Sequence, residues 1–140
     1  PSNIIMGAPA KLIDLSLTLP LEDAAALDHP VGTDEYMAPE QCKPQELGQV
    51  GTASDVWGIG ATLFRAATGH RAWPQGGHPQ LTTPPRDIPE FVPPPIREIL
   101  LATLNPDPAA RPTPDELLER FEALLDFLPK ARLAGFKVRL

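Results

Sequence analysis

The chain has 140 residues, 42% of them hydrophobic and 21% charged, which is enough for one domain with its own core. Lys and Arg number 12 against 18 Asp and Glu, a net charge of −6. Nucleic acid and anionic membrane surfaces both require clustered cations, so this balance excludes them as main partners. No apolar run approaches the ~20 residues of a membrane-crossing helix. One cysteine, Cys42, precludes an internal disulfide and fits a reducing, cytoplasmic setting. The chain starts at Pro1 and enters a strand-like segment almost at once, which reads as part of a longer protein.

Residues 3–14 predict a short β-hairpin. Asn3 to Met6 and Lys11 to Asp14 are apolar runs around the turn signal Gly7-Ala-Pro-Ala10. With Met6 and Lys11 flanking the turn, Asn3 and Asp14 would stand opposite each other. Residues 15–39 hold no sustained period and read as a long loop, a feature that is usually functional in a compact domain.

A helix is predicted over 53–68, where Val56, Ile59, Gly60, Leu63, Phe64 and Ala67 recur with helical spacing. Thr52 or Ser54 can cap its start, and Gly69 occupies the C′ place. Few polar residues lie even on its far face, so burial nearly all round is expected. Residues 71–95 are rich in Pro, Gly and Thr and read as irregular. A second helix is expected over 95–104 and a third over 114–127, the latter opened by the capping box Thr113-Pro-Asp-Glu116. Leu117, Leu118, Phe121, Leu124, Leu125 and Leu128 form its apolar stripe. Residues 129–140 read as a basic, apolar tail or linker.

Carboxylate and carboxamide side chains on directly paired strand residues, with Cβ atoms ~5 Å apart, can offer oxygens to one hard cation. Mg²⁺ takes one or two such ligands and completes its shell with water and phosphate oxygens. An Asn and an Asp closing a hairpin also serve simply as turn or cap residues, and the spacing alone does not choose between these readings.

Five motifs in order carry a resemblance. Pro1-Ser2-Asn3 resembles the end of the protein-kinase catalytic loop, Lys-Pro-x-Asn. Lys11-Leu-Ile-Asp14-Leu-Ser16 resembles the strand leading into Asp-Phe-Gly. Gly32-Thr33-x-x-Tyr36-Met-Ala-Pro39-Glu40 is similar to the end of the activation segment. Ser54-Asp55-Val-Trp57-Gly-Ile-Gly60 resembles the start of the buried central helix, and Asn105 to Thr113 the turn before the last conserved helix. Together they cover about residues 1–128 and resemble the bacterial, eukaryotic-like (Hanks-type) serine/threonine branch.

The resemblance implies a mainly α fold, the helical C-terminal lobe of a kinase with a small hairpin at its N-terminal end and the N-lobe absent. It implies ATP and Mg²⁺ as cofactors, with Asn3 and Asp14 as the metal ligands beside the phosphates. Thr33 would position the acceptor hydroxyl near the catalytic base, and Asp34, Glu35, Tyr36 and Met37 would form a substrate pocket. Glu40 and Arg111 would make a buried ion pair, and Asp55 would accept hydrogen bonds from the catalytic-loop backbone. Partners would be a protein substrate and the N-lobe.

Some features depart from the pattern. The base-bearing aspartate, the strand lysine and the Gly-rich loop would lie before Pro1, so the 140-residue piece alone is expected to be inactive. Asp-Phe-Gly reads Asp14-Leu15-Ser16, and serine replaces a glycine whose backbone freedom a Cβ restricts. Thr18 is the one candidate phosphosite before Thr33. Residues 74–95 are too short and proline-rich for the helix usually found there. The alternative function is a pseudokinase or kinase-like scaffold. His29, His70 and His78 lack zinc-ligand spacing.

Overall fold

The computed structural model describes residues 3–5, 7 and 9–125. They form a mostly helical domain with one two-stranded antiparallel sheet. Strand β1 (Ile4–Ile5) pairs with β2 (Lys11–Leu12), Ile4 opposite Leu12 and Ile5 opposite Lys11. This corrects the expected register by one residue. Asn3 stands opposite Ile13, whose N–H donates to the Asn3 carbonyl at 2.9 Å. Because side chains alternate along a strand, a one-residue slip changes which face each presents. Met6, expected beside the turn, lies outside the described residues.

The segment 15–39 is not wholly irregular. Helix α1 (Leu21–Ala25) occupies part of it, with Glu22 and Asp23 in a first turn that favours acids. A 3₁₀ turn follows at Asp34–Tyr36, then α2 (Pro39–Cys42), whose entry is fixed by the Ala38 N–H donating to Gln41 Oε1 at 3.0 Å. Helix α1 escapes a periodicity reading because five residues complete barely more than one turn.

The central helix α3 runs from Thr52 to Thr68 and ends at Gly69, whose φ of 80° lies in the left-handed region that favours glycine. Helix α4 (Pro94–Thr103) crosses it, and α5 (Pro114–Leu125) packs on α4. Gly60 lets α3 and α4 approach: an added Cβ would collide with Thr103 Oγ1 and lie 2.8 Å from Thr103 Cβ. Thr103 is fully buried, and its hydroxyl is satisfied by the Ile99 and Leu100 carbonyls at 3.0 and 2.9 Å.

The main core gathers Ala38, Trp57, Ala61, Phe64, Ala72, Trp73, Leu100 and Leu104. Trp57 and Trp73 stack with ring centroids 5.1 Å apart. Burying each such large side chain stabilises the fold by about 1.5–3 kcal/mol. A smaller cluster joins Val56 and Ile99 to Leu117, with Phe121 and Leu124 packed on it. Two expectations fail here. Leu118 is 57% exposed, and Ile59 on α3 is 43% exposed, so α3 is not buried all round. Residues 126–127 of the third predicted helix, Leu128 and the 129–140 tail lie outside the described residues, and the Leu125 side chain with them.

Residues 71–93 contain one 3₁₀ turn, Pro79–Leu81. They are pinned by side chains: Trp73 Nε1 donates to the Thr83 carbonyl at 2.9 Å, and Gln80 Nε2 reaches the carbonyls of Asp34 and Met37 at 2.8 and 3.0 Å. No helix among the described residues is long and apolar enough to cross a membrane.

Candidate active-site cleft

The support for the site starts at Arg111. Helix α2 delivers Glu40 and the turn after α4 delivers Arg111, both with side chains fully removed from solvent. Arg111 Nη1 and Nη2 donate to Glu40 Oε1 and Oε2 at 2.6 and 2.8 Å, a two-pronged contact that suits the planar guanidinium. Its remaining N–H groups reach the carbonyls of Ala53 at 2.8 Å, Asn105 at 2.8 Å and Pro106 at 3.3 Å. Ser54 adds a hydroxyl to Glu40 Oε1 at 2.8 Å, and the Arg111 cation lies 5.0 Å from the Trp57 ring centroid. All five guanidinium donors are therefore used. The hub ties α2, the start of α3 and the 105–111 turn into one rigid unit.

On that unit sits an open cleft of about 780 Å³. The hairpin contributes Asn3, Ile4 and Leu12, the 32–37 segment contributes Thr33, Glu35, Tyr36 and Met37, and α3 contributes Asp55, Gly58, Thr62 and Arg65. Those α3 positions follow one another at three- and four-residue steps and so form one stripe. Gly32 leads into the 33–37 turn with φ of 140°, and a Cβ there would also lie 2.8 Å from Met37 Cγ. Tyr36 lies along the stripe: its carbonyl approaches Gly58, and its hydroxyl accepts from Arg65 Nη1 at 3.0 Å.

Glu35 is buried against Arg71, with Oε1 2.9 Å from Nε, although the angle misses a hydrogen bond and Oε2 has no hydrogen-bond partner among the described residues. Asp55 is open to solvent on one side, yet the surrounding protein raises its carboxyl above the usual aspartate range by desolvation alone.

The expected residues divide as follows. Asn3, Thr33, Glu35, Tyr36, Met37 and Asp55 line one cleft. Asp34 turns away, 3.9 Å from His78 Nδ1. Asp14 follows β2 with φ of 61° and takes a long N–H contact from Ser16 at 3.4 Å. Thr18 is exposed just beyond it. Among the described residues no cluster of three or more His, Cys, Asp and Glu could hold a metal. Cys42 is buried, and burial pushes its thiol up to about 11, so it stays protonated at neutral pH.

Sequence reasoning missed Arg65, Arg71 and Gln80. Arg65 was within reach, because Asp55, Gly58, Thr62 and Arg65 break the apolar pattern of α3 at helical spacing. Arg71 and Gln80 sit in aperiodic chain and give no such signal.

The protein kinase domain family model matches residues 1–121. A probable serine/threonine-protein kinase, PkwA of Thermomonospora curvata, is 35% identical over 84% of this chain and 16% of its own length. Serine/threonine-protein kinase PknA of Mycobacterium tuberculosis is 32% identical over 79% of this chain and 27% of its own. Dual specificity mitogen-activated protein kinase kinase mek-1 of Caenorhabditis elegans is 30% identical over 85% of this chain and 36% of its own. The chain thus spans well under two thirds of these relatives, and with a family match over most of its residues it belongs to the protein kinase family.

Proposed function

We propose that this chain supplies the metal-holding and acceptor-positioning part of a serine/threonine protein kinase. Such an enzyme transfers the γ-phosphoryl group of ATP to protein Ser or Thr hydroxyls. The observation that carries this is the meeting of Asn3, from the hairpin, and Thr33, from the 32–37 turn, on one cleft. Asn3 lines the cleft, whereas Asp14 follows β2 and is not among its lining residues. One carboxamide and one carboxylate are the donor types a hard cation takes beside phosphate and water, and holding it would require Asp14 to turn toward Asn3. Bound there, Mg²⁺ would offset charge on the phosphates.

The chain's own residues act by placement. Thr33 orients the acceptor hydroxyl, and Glu35, Tyr36 and Met37 wall the groove for the chain that carries it. Asp55, with a desolvated carboxylate and no protein donor among the described residues, is suited to accept backbone N–H groups from a neighbouring segment. A chain with one cysteine suits a reducing setting, and we place it in the cytoplasm. The 140 residues hold no Gly-rich phosphate loop, so phosphoryl transfer belongs to the longer protein and the chain alone is inactive. Ser16 beside Asp14 favours a second reading, a kinase-like binding module.

The test is phosphoryl transfer by the full-length protein with Mg²⁺ and ATP, set against Asp14→Asn and Asn3→Ala. Each variant should lose on the order of 10²-fold or more in kcat, the scale of removing one positioned electrostatic group. Full activity in Asp14→Asn would overturn the assignment. ATP binding without transfer would favour the binding-module reading.

A further inference from the structure

The cleft is not electrically uniform. Asp55 and Arg65 lie on the same stripe of α3, ten residues and about 15 Å apart. At the Arg65 end the lining includes two guanidinium groups, Arg65 and Arg71, and one carboxylate, Glu35. That carboxylate is already paired with Arg71 at 2.9 Å, and its side chain is only 6% exposed. Asp34, the nearest other acid in sequence, faces His78 instead. Arg65 spends one N–H on the Tyr36 hydroxyl and meets no carboxylate among the described residues. A half-buried guanidinium with donors to spare is a poor fit for a basic ligand and a good one for an anion, even in a chain whose net charge is −6.

We infer that Arg65, aided by Arg71, selects protein substrates carrying an anionic side chain close to the acceptor Ser or Thr. This inference rests on the reading of the cleft as the acceptor groove of a kinase. An extended peptide advances about 3.3 Å per residue, so a groove of this length holds several residues, and the anion would sit a few positions from the acceptor. The carboxylate of Asp or Glu and the phosphate of a previously phosphorylated residue share the required chemistry. Both present two oxygens to the guanidinium fork. The bland role of Arg65, a cation favoured by the helix C-terminus, does not explain its contact, because its partner is the Tyr36 hydroxyl rather than a terminal carbonyl.

The test uses the full-length protein and three sets of Ser-containing peptides, in which flanking positions carry Asp, phosphoserine or Lys. Binding is read by fluorescence anisotropy and phosphorylation separately. Anionic peptides should bind on the order of tenfold tighter than the Lys set. Arg65→Glu should reverse that order, whereas Arg65→Lys should keep it. A purely structural Arg65 would weaken all three sets equally in Arg65→Glu, and that result would overturn the inference. Equal binding of all sets by the unaltered protein would overturn it too. Preference for phosphoserine over Asp would assign the anion to earlier phosphorylation, and parity would assign it to acidic sequence. Selective binding without phosphoryl transfer would keep the anion site and reject the kinase reading. Transfer without charge preference would do the opposite.

Discussion

Helix α3 has two faces built on opposite principles. One carries Ser54, Val56, Trp57, Gly60, Ala61 and Phe64 and is buried. Every guanidinium N–H of Arg111 beside it is met from within the chain, while Trp57 Nε1 stays buried without a hydrogen-bond partner among the described residues, and Gly60 admits Thr103 with no space left over. The other face carries Asp55, Ile59, Thr62 and Arg65 and stays open, with a desolvated acid at one end and an arginine with unused donors at the other. On the function proposed above, the contrast separates residues that build the domain from residues that would receive a partner. A substitution on the first face should cost folding, and one on the second should cost function while sparing or helping the fold.

Arg111→Ala should show the largest effect. It leaves the Glu40 carboxylate buried without its cation and strips a partner from three backbone carbonyls. Breaking one side of such a pair costs about 3–5 kcal/mol, which is a large part of a domain's net stability. Denaturant titration of the 140-residue chain checks it. Replacing both partners with apolar residues, Glu40→Leu with Arg111→Met, should cost less than the sum of the single changes, because no lone charge is left inside. Additive losses would mean that the two groups do not act as a unit, and the contrast between the faces would blur.

Gly60→Ala comes next. The added methyl has to displace Thr103, whose hydroxyl is tied to its own helix, so α3 and α4 must separate. Overpacking of this kind costs about 1–3 kcal/mol. Ala is otherwise the better helix former by about 1 kcal/mol. A stabilised Gly60→Ala chain would show that α4 yields freely, contrary to a close-packed buried face. Gly58→Ala provides the control: its Cβ would meet only the Tyr36 carbonyl at 4.0 Å, and the propensity gain should prevail.

The buried face was legible in sequence and the open one only partly so. Helical spacing of Val56, Gly60, Leu63 and Phe64 locates α3 to within a residue of its start, and the Thr113 to Glu116 capping box locates α5. Periodicity reports burial, however, and Ile59 shares the spacing without sharing the burial. The meeting of Glu40 and Arg111 could be anticipated only from motif resemblance, since residues 71 positions apart carry no local signal. The hairpin register was missed because strands of two residues offer no alternation to count. Arg71 and Gln80 take their places from tertiary contacts across loops, which no local pattern encodes.

The smallest expected effect is the most diagnostic of the open face. Asp55 titrates above its ordinary value of 3.8, and desolvation is the sole cause. Partial burial of the carboxyl penalises its charged form, which is why the shift is upward. For an acid whose pKa is higher when folded, the folded state binds its proton more tightly. Ionisation therefore costs stability as pH rises through the folded value, and the cost persists at neutral pH. Asp55→Asn removes that cost. The 140-residue chain carrying it should melt slightly higher than the parent at pH 7, and the gap should close below pH 3.8, where the parent carboxyl is protonated in both states. If Asp55 waits for backbone N–H groups, the same change in the full-length protein should lower phosphoryl transfer while leaving the fold intact. A residue that stabilises the part when neutralised and disables the whole belongs to the awaiting face. A variant less stable at pH 7 would place Asp55 with the builders instead.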